Sequence, residues 1–396
     1  MVKLIAKYND KLVAQGLCDA GAPLIGGLDA ELVWNRQGDE IPILTEVITN
    51  LPVNSLLFAE PAEPFLSVIR FLSQNSCDAY GIIKPEDTET RTFLHDIPVI
   101  TDFNSTAIIH NLSRRKAVII KDRGIVSFGI VSPEQAFIYY SSVCFSCFVK
   151  FFVDYYYKIF NRQTVSDEEK ELINRAAGKY SDFIGKIDVA PSFHGPFADS
   201  ETVIKAMTEA GKITVDSRMV DSFFGNISYK LNDTIYISQT GSSLDELAGY
   251  IDPCPVDNSA TVAITASSEF KAHRSIYELT DCNAILHGHP KFSVILSMIC
   301  DKSECKSRGK CHVHCPEKRF VAGIPIVPGE VGTGPSGLCN TLPPAMRNHK
   351  GVIVYGHGLF TRGNHDFIDA FQTMMATEKE CLELYHQLVD SSETPG

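Results

Sequence analysis

Positive charge is what this chain is short of. Its 396 residues carry 36 Lys and Arg against 48 Asp and Glu, a formal net charge of -12. That deficit excludes general nucleic-acid binding, which needs a basic footprint. The N-terminal Met1-Val2-Lys3-Leu4-Ile5-Ala6-Lys7 has neither the long apolar core nor the small-residue cleavage site of a secretory leader. The expected location is therefore cytoplasmic. A charge-free apolar run of membrane length is lacking too. The nearest approach, Ala136 to Phe160, is interrupted by Lys150, Asp154 and Lys158, and charges at such depth are costly in a bilayer. It reads as a buried helix at a domain or subunit interface, and no membrane partner is expected. Cys144 and Cys147, spaced i,i+3 on that helix, read as packing rather than a redox pair. The glycines from Gly329 to Gly337 lack the Lys-Ser/Thr pair of a P-loop and read as a loop feeding a helix near Leu338. Twelve cysteines are too few for a disulfide scaffold at this length. Without a leader they read as reduced thiols or metal ligands.

What is present is a repeat. The length already suggests two domains, and self-comparison supplies them. Lys116 to Gly129 and Lys350 to Gly363 are both apolar strands running into a glycine turn, each followed by a polar cap and a long helical pattern. Ile97-Pro98-Val99-Ile100 matches Ile324-Pro325-Ile326-Val327. Val53-Asn54-Ser55-Leu56-Leu57-Phe58-Ala59-Glu60-Pro61 matches Cys282-Asn283-Ala284-Ile285-Leu286-His287-Gly288-His289-Pro290. Near the start, the segment from Asn9 pairs with that from Asn232. The matches keep one order along the chain. The first copy is expected to start late and to lack the helix around Ser200–Ala210. Between the copies, Ser166 with Glu169 has the form of a capping box and opens a helix. The boundary is placed near 185, giving domains 1–185 and 186–396.

The copies differ where chemistry would sit. His287 aligns with Phe58, His289 with Glu60 and His357 with Arg123, while Glu269 aligns with Glu40. A His-X-His pair on extended backbone points both rings to one face, because a strand repeats every two residues. His357, at the end of another strand, can supply a third imidazole. Three imidazoles with a carboxylate nearby are the usual complement of a catalytic zinc site with one open position. Glu269 opens the helical stretch before the His pair and suits a general base. His273 reads as packing or hydrogen-bonding locally, and His365 as part of the first turn of a helix. Without imidazoles the first copy should not hold the same metal.

These residues carry a resemblance. Ser267-Ser268-Glu269 with His273 and Tyr277, Asn283 to His289, Gly356-His357-Gly358-Leu359, Gly225-Asn226-Ile227-Ser228 and Ile237 to Gly241 resemble the class II aldolase/adducin family. The likeness covers about residues 200–390 and, more faintly, 1–160. It implies an α/β fold of two tandem domains, each a central, mainly antiparallel sheet flanked by helices. It implies zinc, or another divalent metal, on His287, His289 and His357, with Glu269 as acid/base. It further implies a substrate-phosphate pocket from Asn226, Thr240, Gly241, Ser267 and Ser268. The implied activity is that of a zinc-dependent lyase, cleaving or forming a C–C bond in a hydroxy-ketone or sugar phosphate through a metal-stabilised enediolate. The alternatives are a dehydratase or decarboxylase of the same family, or a non-enzymatic adducin-like scaffold. Because the family forms four-fold rings, two copies per chain suggest a homo-oligomer, a dimer closing a pseudo-four-fold ring. Phe223 and Phe224 depart from the small or polar residues usual before the Gly-Asn pair, and no tyrosine from a neighbouring subunit can be matched.

One feature lies outside the resemblance. Cys300, Cys305, Cys311 and Cys315 crowd one polar loop, with His312 and His314 interleaved. Four such thiols resemble a structural zinc knuckle or an iron–sulfur ligand set. Lys302, Lys306, Arg308, Lys310, Lys318 and Arg319 make the loop basic within an acidic protein.

Overall fold

A computed structural model describes residues 1–75, 81–220, 223–257, 259, 261–329 and 334–393. Part of the glycine stretch 329–337, namely 330–333, lies outside them. The chain divides into two compact units, Met1–Lys158 with Gln163–Tyr180, and Ile159–Arg162 with Ser181–Gly396.

The first unit runs α1 (Val2–Ala14), β1 (Leu24–Leu28), β2 (Leu32–Trp34), α2 (Ile41–Asn50), β3 (Ser55–Ala59), α3 (Phe65–Asn75), β4 (Ile82–Ile83), α4 (Thr90–Leu94), β5 (Ile97–Ile100), α5 (Ser105–Leu112), β6 (Ala117–Ile120), β7 (Gly124–Gly129), then the long α6 (Pro133–Phe160) and α7 (Asp167–Gly185). Its sheet order is β2-β1-β3-β7-β6-β5-β4. Only the β5–β6 pair is parallel. Leu24, Leu44, Val47, Leu56, Phe58, Ile108, Val118 and Val126 form a core between one sheet face and α2 and α5. The helix α6 is long and apolar enough to cross a membrane by composition, but 83% of its apolar window is buried in protein. Cys144 and Cys147 are buried on it with no disulfide. Half of the capping box forms as α7 begins: Glu169 N donates to Ser166 Oγ at 3.2 Å, while the Glu169 carboxylate pairs with Lys158 at 2.7 Å.

The second unit runs α8 (Ser200–Asp216), β8 (Asn226–Leu231), β9 (Thr234–Ser238), β10 (Ile251–Pro255), α9 (Phe270–Leu279), β11 (Ala284–Gly288), α10 (Lys291–Met298), β12 (Arg319–Val321), β13 (Ile324–Val327), α11 (Leu338–Met346), β14 (Gly351–Val354), β15 (Gly358–Gly363) and α12 (Phe367–Glu393). Its sheet order is β10-β9-β8-β11-β15-β14-β13-β12, again with one parallel pair, β13–β14. Remove the extra edge strand β10 and the order is that of the first unit. Both are α/β units with mainly antiparallel sheets and flanking helices.

The correspondence extends to single residues. Phe58 pairs with Val126 across β3 and β7, as His287 pairs with Phe360 across β11 and β15. Asn54 N donates to Gly129 O, and Asn283 N to Gly363 O. In the tight turns, Arg123 N donates to Ile120 O and His357 N to Val354 O, each at 3.0 Å. Asp122 and Gly356 each hold positive φ there, 59° and 61°. Such a φ suits Gly and is tolerated by Asp.

Two expectations about the first copy do not survive. It does not lack the leading helix: α1 precedes β1 as α8 precedes β8. The pairing of Asn9 with Asn232 is also wrong. Asn9 lies within α1, whereas Asn232 sits at φ 53° in the turn between β8 and β9. The helix was hidden because α1 buries Ile5, Tyr8 and Leu12 at helical spacing without sharing letters with α8.

Candidate metal centre

His287 is the second-last residue of β11 and His289 follows the strand's end, so both rings leave on one face, as the strand period requires. His357 occupies the turn from β14 into β15, beside β11 in the sheet. His289 Nε2 lies 3.1 Å from His287 Nε2, and His357 Nε2 lies 3.2 Å from it. The ligand nitrogens of all three lie within 4.8 Å of one another. Among the described residues no other trio of His, Cys, Asp or Glu meets that spacing. For tetrahedral ligands about 2.0–2.1 Å from zinc, the edge of the tetrahedron is about 3.3–3.4 Å. The three nitrogens therefore fit one divalent ion.

Packing fixes the rings. His287 is fully buried, and Phe360 stacks on it with ring centres 3.8 Å apart and planes 8° from parallel. His287 Nδ1 faces Leu359 O at 3.2 Å. A donor bond to that carbonyl leaves Nε2 with its lone pair toward the other rings. Gly358 is required here. A Cβ on it would come within 2.5 Å of Gly288 O and 2.7 Å of both His287 Cε1 and His289 Cδ2. Ser297 Oγ accepts from Gly356 N at 2.8 Å, which holds the turn before His357. Glu378, buried on α12, accepts from Phe292 N, Ser293 N and Ser293 Oγ at 2.7–2.8 Å, and so caps the helix that starts after His289-Pro290.

Glu269 is the N-cap residue of α9 and is 8% exposed. Its Oε1 lies 3.3 Å from His357 Nε2, and its Oε2 3.8 Å from His287 Nε2. Asn226 Nδ2 donates to Oε2 at 2.5 Å. Burial pushes the Glu269 carboxyl upward, but His287, His357 and the Asn226 amide outweigh it and hold the group below the ordinary carboxylate range. Burial pushes His287 down to about 4 and His289 well below the usual imidazole value. Neutral imidazoles are the form that binds metal.

The residues read as a phosphate pocket divide. Asn226 pairs with His287 across β8 and β11, and its amide is committed to Glu269. Its Oδ1 is buried with no hydrogen-bond partner in the protein. Ser267 is buried, and its Oγ accepts from Glu269 N at 3.3 Å. Thr240 and Gly241 follow β9, with Thr240 Oγ1 donating to Ala266 O at 2.9 Å and Gly241 at φ 72°. Ser268 is exposed. Phe224 lies 6.0 Å from the His289 ring, tilted 24° from parallel. The four loop cysteines are half-buried, outside any disulfide, and not gathered as closely as the imidazoles.

Sequence reading missed several supports. His273 lies one turn beyond Glu269 on α9, and its Nδ1 meets Ser228 Oγ at 2.7 Å, which in turn meets Tyr277 OH at 2.7 Å. The reading of His273 as packing or hydrogen-bonding locally was right in kind, and the bond reaches Ser228 on β8. Phe360 could be found only from strand register. Glu378 had a signal: a carboxylate aligned with Met374, Cys381 and Tyr385 on the buried side of α12. His365 does not join the first turn of α12. It precedes the helix, where its carbonyl accepts from Tyr229 OH, and Asp366 caps Ile368 N.

The first unit presents different groups at the equivalent positions. Glu40 is the N-cap residue of α2, as Glu269 is of α9. Arg123 approaches Glu40 at 4.0 Å and lies over the Phe103 ring at 4.5 Å. Phe58 packs on Phe103, and Glu60 pairs with Arg70 at 2.7 Å.

Residues 205–385 match the family of the class II aldolase and adducin N-terminal domain. Among solved structures, the chain is similar to L-fuculose-1-phosphate aldolase from Thermus thermophilus, at 20% identity over 49% of this chain and 98% of that one, with a TM-score of 0.40. It is also similar to a sugar-phosphate aldolase from Thermotoga maritima, at 16% identity, 49% and 98% coverage and a TM-score of 0.36. A third is L-fuculose 1-phosphate aldolase from Glaciozyma antarctica, at 15% identity, 54% and 82% coverage and a TM-score of 0.35. No curated protein sequence matches the chain.

Proposed function

Because residues 205–385 carry a domain of the class II aldolase and adducin family, we propose that the second unit is a zinc-dependent lyase of the aldolase type. It would make or break a C–C bond in a hydroxy-ketone, and a sugar phosphate is the favoured substrate. The observation that carries this reading is the meeting of three buried imidazole nitrogens with one buried carboxylate. His287, His289 and His357 would hold the ion. Once bound, it would supply Lewis-acid polarisation of a substrate carbonyl.

The protein's own part is proton transfer and placement. Glu269 is ionised and sits beside the ligand nitrogens, placed to take a proton from the carbon next to a carbonyl and return it. The Asn226 amide fixes that carboxylate and leaves a buried Oδ1 with no partner in the protein, which could accept from a substrate hydroxyl. Ser267, Ser268, Thr240 and Gly241 would receive the phosphate through hydroxyls and turn N–H groups. Burial of the imidazoles and of Glu269 limits water at the site and strengthens each polar contact.

The first unit would be a degenerate aldolase-like domain without metal, spanning 1–185, with the catalytic domain at 186–396. Phe58, Glu60 and Arg123, at positions matched by register, support that division. Two chains closing a pseudo-four-fold ring would alternate the two domain types, and a stable monomer in solution would remove that element.

The test is turnover. Metal-loaded protein should cleave members of a panel of phosphorylated hydroxy-ketones, lose activity on chelation and regain it with zinc. Elimination of water or loss of carbon dioxide from the same panel would move the chemistry to dehydratase or decarboxylase. Absence of any metal-dependent turnover would leave an adducin-like scaffold.

A further inference from the structure

The second unit contains a segment that its hydrophobic core cannot explain. Between α10 and β12 the chain runs from Ile299 to Lys318 with no helix or strand. Loops of this length without internal structure are uncommon in compact domains unless they are functional. From Cys300 to Lys318 the only aliphatic side chains besides Pro316 and the cysteine stems belong to Val313. Apolar burial therefore has little to work with here. Yet Cys300, Cys305, Cys311 and Cys315 are all half-buried rather than exposed, and none is in a disulfide.

The loop is tied at its base. Lys302 Nζ pairs with Glu317 Oε1 at 2.5 Å. Arg319 donates to Ser297 O at 2.8 Å and to Ile299 O beside Cys300. Gly329 N donates to His312 O at 3.0 Å. Between these ties lie all four half-buried thiols. Cys311 Sγ rests on Ser307 O at 3.6 Å.

We propose that these four cysteines form a second metal centre, a structural zinc site separate from the three-imidazole site. Zinc bound by four thiolates is a usual structural arrangement and carries a net negative charge. The loop supplies the balancing cations. Lys302, Lys306, Arg308, Lys310, Lys318 and Arg319 outnumber Asp301, Glu304 and Glu317 in an otherwise acidic chain. The sulfurs stand farther apart than the three imidazole nitrogens, and zinc would close that gap as it orders the loop. The centre would clamp the end of α10, whose start follows His289-Pro290 and is capped by Glu378. Its role is thus support of the strand-helix corner that presents His289.

Metal counting separates the two sites. Wild-type protein should carry two zinc ions per chain. A Cys305→Ser, Cys311→Ser double variant should carry one and keep the ion at the imidazoles. His287→Ala should also carry one. Cobalt-loaded His287→Ala should show thiolate charge-transfer absorption, and the cobalt-loaded double cysteine variant should not. If the cysteine variant fails to fold, mercurial titration of the native wild type decides. Zinc released in step with modification of four thiols supports the site, and modification without metal release overturns it. Unchanged zinc content in a folded cysteine variant, or iron with labile sulfide in place of zinc, would also overturn it. Loss of the imidazole ion alone would sink the proposed function and leave this centre standing.

Discussion

The two sheets of this chain have one topology and opposite ends of a chemical range. Each has its single parallel pair at the same place, and each turns from strand to strand through a positive-φ residue before the critical side chain. Gly124 and Gly358 even serve the same purpose, since a Cβ on either would strike the carbonyl of the facing strand, Ala59 O or Gly288 O. The second sheet then places His287, His289 and His357 where the first places Phe58, Glu60 and Arg123. One backbone arrangement is thus present twice, and the two copies differ in the three side chains that it presents. The glycines and turns are common to both units, and the imidazoles are found in the second alone.

The largest expected effect probes the carboxylates that the two units share. Glu269→Gln should lower turnover by about 10²–10⁴-fold, the range of general acid–base contributions, and leave metal content unchanged. Glu40→Gln should leave turnover within experimental error. Equal losses from both variants would break the comparison and give the first unit a part in catalysis.

Next comes the helix that follows each critical strand. The helix α3 is capped locally, with Glu63 accepting from Ser67 Oγ at 2.6 Å. The helix α10 is capped from a distance by the fully buried Glu378. Glu378→Ala leaves two buried N–H groups unsatisfied and should cost about 3 kcal/mol or more in urea unfolding, whereas Glu63→Ala should cost about 1 kcal/mol. A cost for Glu378→Ala no greater than that for Glu63→Ala would show that water replaces the carboxylate at the site.

The smallest effect is the pH dependence of the metal-free protein. His287 titrates near 4 in the fold and near 6.5 when unfolded, so the unfolded chain binds more protons between those values. Stability from this group is complete above about 6.5 and is lost as pH falls toward 4. Asp87 in the first unit behaves oppositely. Burial pushes its carboxyl up to about 6, against hydrogen bonds from Thr90, so its contribution is present at low pH and fades as pH rises from about 4 to 6. Hydrogen exchange on acidification from pH 7 to 5 should loosen peptides of α9 and β11 more than those around Asp87. The reverse order would contradict the assignment of a neutral His287 in the fold.

Much of this was legible in the letters. The repeated strand motifs gave the register that sets Phe58 against His287, because strands buried on both faces keep their apolar runs. The His-X-His spacing placed two rings on one face by strand geometry alone. What escaped reading was set by contacts between distant segments. Phe360 stacks on His287 only because β15 pairs with β11 in one register. The bond from the Asn226 amide to Glu269, on another element, was one such contact. The helix α1 was missed because helices keep their face pattern while their residues change, whereas the strands here kept theirs more nearly intact.

Metal content of the His287→Ala variant against wild type tests the central claim most directly. The account predicts the loss of one divalent ion per chain, with the first unit retaining none and the cysteine-loop ion unaffected. An unchanged metal content on a folded variant would contradict it.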